Sequence, residues 1–198
     1  MDAAAWDQRY SGTDLVWSGE PNRTVADEVG GLPPGRALDL AAGEGRNAVW
    51  LARQGWQVTA VDFSAAGLDK ARHLAEQHGV VVETVVADLT TYRPEADRFD
   101  LVLITYLQLP ADVLGPVLAA AAAGLASNGT LLLVGHDRDN LADGVGGPQD
   151  PAVLHTVDDV TAALDRLRIV RAEQIRRPVQ VDGRQRSAID TLVRATRS

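Results

Sequence analysis

The stretch ALDLAAGEGRNAVWLA, residues 37–52, joins an aliphatic run to two glycines and then to a helix-like pattern. The aliphatic run predicts a buried strand, and Gly43 and Gly45 predict a tight turn at its end. Such a turn brings a ligand against the free amide groups at the start of the next helix. The same pattern serves nucleotide phosphates and a positively charged cofactor, so the surrounding residues decide which ligand is bound.

Apolar, β-rich segments alternate with helical patterns along the chain, which is typical of a parallel sheet with helical crossovers. Two closing runs, residues 168–181 and 187–197, join through a turn around DGR at 182–184 and predict an antiparallel hairpin. Parallel strands are predicted at residues 36–41, 56–63, 80–87, 99–106 and 130–136. Helices are predicted from Gly45 to about Gly55, from Ser64 to Gly79, from near Pro110 and from Thr156.

Composition limits the class of protein. The chain has 198 residues, 45% of them hydrophobic and 23% charged, which suits one globular domain. Its net charge of −8 argues against nucleic acid or an anionic membrane as the main partner. Without cysteine there is no disulfide or thiolate chemistry, and the N-terminal residues lack the pattern of a signal peptide. We therefore expect a cytoplasmic protein, while the sequence does not indicate its oligomeric state.

The acidic residues around the glycine turn favour a cationic ligand. Asp39 precedes the turn and Glu44 lies between its glycines, and two carboxylates would oppose a bound pyrophosphate. Asp62 ends the second strand, where a dinucleotide-binding fold places a ribose-binding acid. An NAD(P)-dependent oxidoreductase therefore stays open as an alternative at this point.

LDLAAGEGRN resembles the first motif of class I S-adenosylmethionine-dependent methyltransferases. Asp62 in AVDFS resembles the acid that binds the ribose hydroxyls in that family, and Asp88 in ADL resembles the residue near the adenine amine. The resemblance implies a Rossmann-like α/β fold with a seven-stranded, mostly parallel sheet of order 3-2-1-4-5-7-6, helices on both faces and a C-terminal antiparallel hairpin. Ala41 stands where the family usually has glycine. That departure leaves a non-catalytic, methyltransferase-like binding protein as a further alternative.

The N-terminal pattern WDQRY…VW…PNR and the GRN of the turn resemble the small-molecule branch that includes tellurite-resistance and thiopurine-type methyltransferases. The resemblance implies that the N-terminal segment folds over the cofactor, with Trp6, Tyr10 and Trp17 in a cap; simple packing of a terminal helix is the alternative. We expect one domain with a helical cap at 1–34, a cofactor-binding core at 35–136, a lid loop at 137–155, and a last helix and hairpin at 156–198. Residues predicted to bind S-adenosylmethionine are Asp39, Ala41, Gly43, Gly45, Arg46, Asp62, Phe63, Asp88, Leu89, Thr105, Trp17 and Tyr10.

Three residues near the ends of strands four and five are predicted to act on a methyl acceptor. Ligands in open α/β sheets bind outside the carboxyl ends of the strands, where Tyr106, His136 and Asp137 fall. His136 has the chemistry of a general base, although a structural role fits it equally. The histidines are not spaced to bind a metal, and the chain lacks a G-x-S-x-G motif and the Lys-Ser/Thr of a phosphate-binding loop.

These observations predict methyl transfer to an oxygen, nitrogen or sulfur nucleophile of a small molecule, not of nucleic acid or a membrane. We also expect an Asp62→Ala variant to keep its fold, because the end of a strand is usually exposed.

Overall fold

The computed structural model describes residues 3–12 and 14–198. Its seven strands form one sheet of order β3-β2-β1-β4-β5-β7-β6, which confirms the predicted fold. The first five strands are parallel, and β7 runs antiparallel to both β5 and β6. The strands are β1 (Arg36–Leu40), β2 (Gln57–Asp62), β3 (Val82–Val86), β4 (Phe99–Thr105), β5 (Leu125–His136), β6 (Arg168–Val181) and β7 (Arg184–Thr196).

Three helices, α2, α4 and α7, begin at a residue whose side chain caps the helix. Ser64 accepts a hydrogen bond from the amide of Gly67 at the start of α4, and Gly79 follows this helix with a φ of +66°. Thr156 and Asp159 form a reciprocal capping box at the start of α7. The helices are α1 (Ala3–Tyr10), α2 (Arg23–Val29), α3 (Arg46–Arg53), α4 (Ala65–Gln77), α5 (Ala111–Ala123), α6 (Asn140–Asp143) and α7 (Val157–Ala163).

The sheet is covered on both faces, as its nearly all-apolar central strands require. Side chains alternate along β4, so Leu101 and Leu103 pack in one layer while Val102 and Ile104 pack in the other. The first layer lies against α2, α3 and α4, and the second against α5 and α7. This packing fixes the carboxyl ends of β1, β4 and β5 along one edge of the domain.

The closing hairpin projects past that edge. Its turn has Asp182 and Gly183 at φ values of +50° and +72°, the left-handed pair that a two-residue hairpin turn needs. Pairing of β7 with β5 stops at His136 opposite Asp190, whereas pairing of β7 with β6 continues to Val181 opposite Arg184. The part of the hairpin nearest its turn therefore lies beside the carboxyl ends of the central strands.

Two segments differ from a simple expectation. Strand β5 begins at Leu125 and not at Thr130, because the SNG sequence forms an irregularity within the strand, with Asn128 at a φ of +63°. The long connection at 137–155 contains α6, a short 3-10 turn at Pro151–Val153, and a bridge between Asp137 and His155. Within the described residues, the helices are too short or too polar to cross a membrane.

Candidate active site

The glycine turn between β1 and α3 has three residues in the left-handed region. Ala41, Gly43 and Gly45 have φ values of +61°, +54° and +77°. A side chain at Gly45 would lie 2.5 Å from the Cβ of Ala71, so α4 requires glycine there. Ala41 is the strained member, because an L-residue with a Cβ disfavours this region. The turn thus keeps its sharp conformation although one residue is not glycine.

Asp62 holds this turn in place. One carboxylate oxygen accepts a hydrogen bond from the amide of Gly43 at 2.8 Å, and the other accepts one from the amide of Ser64 at 2.9 Å. Asp62 is only 5% exposed, and burial raises the pKa of its carboxyl group. The expectation of an exposed strand end was therefore wrong, because the carboxylate folds back onto backbone amides. Removing it must also disturb the turn.

Asp39 is a buried acid without a partner. Its side chain is fully buried at the end of β1, and neither carboxylate oxygen has a well-formed hydrogen bond to the described residues. Burial and the nearby charge of Asp62 raise the pKa of Asp39 to about 7, although Arg46 and the nearby backbone amide of Ala48 oppose the shift. A buried polar group with no partner is costly unless a ligand completes it. Asp39 therefore marks a place that suits a cation.

Glu44 does not face a ligand, contrary to the charge argument from the sequence. It is 3% exposed, and its two oxygens accept hydrogen bonds from the backbone amides of Val16 and Trp17, both at 3.0 Å. Lys70 neutralises it with an ion pair of 3.0 Å. Glu44 therefore anchors the N-terminal segment, and Asp39 alone of the two acids stays unpaired.

The aromatic residues of the N-terminal segment lie over the turn and α4. Tyr10 is buried, and burial raises the pKa of its hydroxyl to about 12. This hydroxyl lies so close to Gly43 that a Cβ added there would be 2.9 Å away. Trp17 is 40% exposed and stacks with Arg9, which also lies over Trp6. Asp7 accepts a hydrogen bond from Ser64 and so attaches α1 to α4. Residues 1, 2 and 13 of the predicted cap lie outside the described residues.

The other predicted cofactor residues lie along the same edge. Asp88 is exposed after β3, and one of its oxygens accepts hydrogen bonds from the amide and hydroxyl of Thr90 at 2.8 Å. Leu89 is buried and Phe63 is half-buried. Thr105 ends β4 and accepts a hydrogen bond from the amide group of Asn47 at 3.2 Å. The exposed oxygens of Asp88 leave it able to contact a ligand.

A second cluster of polar side chains lies where the carboxyl ends of β4 and β5 meet the β6–β7 hairpin. Tyr106 donates a hydrogen bond to Asp190 at 2.9 Å and accepts one from Asn22 at 3.1 Å. Its ring lies 4.8 Å from the ring of His136, and its φ of +53° is unusual for a bulky residue. Strain of this kind is concentrated at functional sites.

Asp190 is the buried centre of the cluster. Arg177 donates a hydrogen bond to one of its oxygens at 2.7 Å, and Nδ1 of His136 lies 3.3 Å from the other. Burial acts to raise the pKa of Asp190, but His136 and Arg177 outweigh it and hold the pKa below its usual value. Burial together with this negative charge raises the pKa of Tyr106 to about 12. Asp190 therefore stays ionised and Tyr106 stays a neutral hydrogen-bond donor.

Strand register explains this convergence. His136 and Asp190 are directly opposite each other in the β5–β7 pair. Arg177 pairs with Ala188, which places it diagonal to Asp190 on the same face of the hairpin. Sequence reasoning missed Asp190 and Arg177, and it met Asn22 and Asn47 only within the PNR and GRN motifs. One available signal was Asp190 itself, an acid inside the apolar run of β7.

Asp137 is turned into the protein. One oxygen accepts a hydrogen bond from Thr191 at 2.6 Å, and the other accepts hydrogen bonds from the Asp139 amide at 2.9 Å and Gln174 at 3.1 Å. These contacts hold the start of the 137–155 connection. Gly147 in that connection lies against the His136 ring, where an added side chain would come within 2.9 Å. The connection therefore covers His136.

The residues present fit S-adenosylmethionine. The unpaired carboxylate of Asp39 suits the positive charge of that cofactor. Lys70, the one lysine of the chain, is already paired with Glu44. A pyrophosphate at the turn would instead lie against the buried Asp39.

Comparison with known proteins supports this fit. Residues 37–129 match a family model described as a methyltransferase domain. The chain is 32% identical over 106 residues to ribosomal RNA small subunit methyltransferase C of Alcanivorax borkumensis. This match covers 51% of this chain and 32% of that protein. The chain is also 40% identical over 96 residues to demethylmenaquinone methyltransferase of Clavibacter sepedonicus. That match covers 48% of this chain and 37% of that protein. The chain thus spans about a third of the length of these curated relatives.

Solved structures share the fold over nearly the whole chain. TehB from Haemophilus influenzae superposes with a TM-score of 0.76 and 15% identity, covering 99% of this chain and 67% of that one. Magnesium protoporphyrin IX methyltransferase from Synechocystis, crystallised with S-adenosylhomocysteine, superposes with a TM-score of 0.68 and 19% identity. The match covers 98% of this chain and 94% of that one. Residues 37–129 are therefore similar to a methyltransferase domain, and the chain as a whole has the Rossmann-like fold of these solved structures.

Proposed function

We propose that the protein transfers the methyl group of S-adenosylmethionine to an oxygen, nitrogen or sulfur atom of a small molecule. The observation that carries the proposal is the buried, unpaired Asp39 beside a glycine turn held by Asp62. Bound there, the cofactor supplies a methyl carbon that is activated by its sulfonium. An NAD(P)-dependent oxidoreductase is disfavoured, because a diphosphate would lie against that acid.

In the proposed complex, the residues at the turn bind the cofactor. Asp62 has lone pairs left after its two backbone contacts and would accept hydrogen bonds from the ribose hydroxyls. Asp88 would contact the adenine amine with its exposed carboxylate. The backbone of the turn at Ala41, Gly43 and Gly45 would lie along the amino-acid part, with Phe63, Leu89 and Thr105 lining the site. Tyr10 and Trp17 belong to the N-terminal segment that would cover it.

The cluster at the ends of β4 and β5 would orient the acceptor. Nδ1 of His136 is turned toward Asp190, so the carboxylate favours a proton on that nitrogen and leaves Nε2 as a base. When the acceptor carries a proton on its nucleophile, that proton would pass to Nε2 as the new bond to the methyl carbon forms. Tyr106 would stay neutral and hold Asp190 in place. Asp137, whose oxygens are occupied, is left with the role of anchoring the lid.

Two covers favour a small acceptor. Asn22 of the N-terminal segment is hydrogen-bonded to Tyr106, and the 137–155 connection lies against His136. A large substrate would have to displace both. These covers would also exclude water, as lids do in other enzymes.

Parallel calorimetric titrations with S-adenosylhomocysteine and NADH test the proposal. We expect the first to bind and the second not to bind. Asp62→Asn should weaken S-adenosylhomocysteine at least about tenfold, because hydrogen bonds to a charged group contribute about 1.5–3 kcal/mol. Asp69→Asn, an exposed acid on α4, is the matched control. NADH binding, or unchanged affinity in folded Asp62→Asn, would contradict the proposal.

A further inference from the structure

Arg46 lies in the candidate active site with an unmatched charge. It is the first residue of α3, directly after the glycine turn, and it is half-buried. In the part of the chain that the structure describes, its guanidinium makes neither a hydrogen bond nor an ion pair. Burial lowers the pKa of Arg46, and the like charge of Arg177 lowers it further. A partly buried arginine without a counter-ion is costly unless a ligand supplies the anion.

The nearby acids do not supply that anion. Asp190 is already shared by Arg177, His136 and Tyr106. Asp39 influences the pKa of Arg46 at a distance, but no ion pair joins the two groups. Arg46 lies beside this cluster, because Asn47, the next residue of α3, accepts a hydrogen bond from the backbone amide of Asn22, whose side chain donates to Tyr106. Its unpaired charge therefore adds to the positive charge on the acceptor side of the site.

Arg177 has donors to spare. Its Nε and one terminal nitrogen both donate to Asp190, at 2.7 and 3.5 Å, and its guanidinium lies 5.6 Å from the centre of the Tyr106 ring. The side chain is still 26% exposed, which leaves it accessible to a ligand. An arginine fixed in this way is well placed to bind a planar carboxylate or a phosphate.

The hairpin beside the site is basic although the chain is acidic. Residues 168–186 contain six arginines and two acidic residues, so their net charge is +4, in a chain whose total is −8. Arg176, Arg184 and Arg186 are exposed on this hairpin. A local positive field of this kind steers anionic molecules toward the neighbouring cleft.

We infer that Arg46 and Arg177 form a binding site for an anionic group, a carboxylate or a phosphate, carried by the methyl acceptor. The inference rests on the proposed function and names the chemical class of its substrate. The acceptor would present its nucleophile near His136 while its anionic group lies between the two guanidinium groups. The carboxylate of the amino-acid part of the cofactor has the same chemistry and is the competing source.

The experiment uses the full chain saturated with S-adenosylhomocysteine, so that the cofactor's own carboxylate is already bound. Benzoate and inorganic phosphate are titrated calorimetrically, with benzamide as the uncharged match for benzoate. We expect the anions to bind and benzamide to bind at least about tenfold more weakly, the factor that corresponds to one charge-assisted hydrogen bond. Arg177→Gln and Arg46→Gln should each weaken benzoate about tenfold, and Arg177→Lys should restore part of the loss.

Arg176→Gln is the matched control, because it removes the same charge from the adjacent, exposed position of β6. Equal binding of benzoate and benzamide, no binding of either anion, or an equal loss in Arg176→Gln would overturn the inference. Failure of the wild type to bind S-adenosylhomocysteine at all would instead overturn the proposed function.

A second pair of ligands distinguishes the anionic group of the acceptor from the carboxylate of the cofactor. S-adenosylhomocysteine carries the carboxylate, and 5′-methylthioadenosine lacks it. The inference replaces the sequence-based prediction that Arg46 binds the cofactor, so we expect Arg46→Gln to bind both ligands as the wild type does. A tenfold loss confined to S-adenosylhomocysteine would assign Arg46 to the cofactor and overturn the inference.

Discussion

Asp39→Asn is expected to stabilise the ligand-free protein at high pH. Asp39 is fully buried, and its pKa is raised from 3.8 to about 7. Well below pH 3.8 the carboxyl group is protonated in both the folded and the unfolded protein, so it does not favour either. Between pH 3.8 and 7 the unfolded chain ionises this acid freely while the folded protein keeps it protonated, so stability falls with pH until the loss levels off above pH 7. The associated loss is about 4 kcal/mol between pH 4 and pH 8.

Urea denaturation at pH 5, 6, 7 and 8 measures this loss. The wild type should show most of this loss between pH 5 and 7 and little more by pH 8, while Asp39→Asn should change much less and become the more stable protein at pH 8. Asp165→Asn, which removes an exposed acid, is the control and should follow the wild type. Parallel pH profiles for wild type and Asp39→Asn would refute the reasoning, because the carboxyl group would then not be the titrating group.

The cofactor should reverse this dependence. A cation beside Asp39 favours the ionised carboxylate, so S-adenosylmethionine affinity should rise as pH increases through 7, and binding should release a proton. In Asp39→Asn this rise should disappear. Calorimetry in two buffers with different ionisation enthalpies detects the proton, and equal proton release by the variant would contradict the assignment.

Two further variants test the turn and the N-terminal segment. Ala41→Gly should raise the free energy of unfolding by about 0.5–1 kcal/mol, since relief of left-handed strain exceeds the entropy cost of glycine in the unfolded chain; an unchanged or lower urea midpoint would contradict this. Glu44→Gln should weaken the contacts to Val16, Trp17 and Lys70. Chymotrypsin should then cut after Trp17 faster than in the wild type, and equal cleavage rates would show that Glu44 does not hold the segment.

Much of the fold was predictable because it depends on local patterns. Apolar runs, glycine turns and caps such as Ser64 specify elements within a few residues of themselves. The hairpin is the clearest case, since DGR at 182–184 contains the two residues that adopt the left-handed turn. The start of β5 was misplaced because Asn128 normally ends a strand, whereas here it forms an irregularity within one.

The acceptor side of the site depends on register, which the sequence does not state. Asp190 is 54 residues from His136 and 13 from Arg177, and these three meet only because β7 pairs with β5 and β6 in one alignment. A shift of one residue would turn Asp190 to the other face of the sheet. Glu44 shows the same limit, because its charge was read correctly but its partner Lys70 lies 26 residues away.

The distribution of charge is consistent with the proposed chemistry. Asp39 lies on the cofactor side with an unpaired negative charge, and Arg46 and Arg177 lie on the acceptor side with positive charge in excess. In the proposed complex, each reactant meets protein charge of the opposite sign. Methyl transfer removes the sulfonium charge and leaves the anionic group of the acceptor unchanged, so the cofactor product is held less tightly than the cofactor. Asp39 would therefore favour release of S-adenosylhomocysteine over S-adenosylmethionine, and Asp39→Asn should reduce the ratio of their affinities.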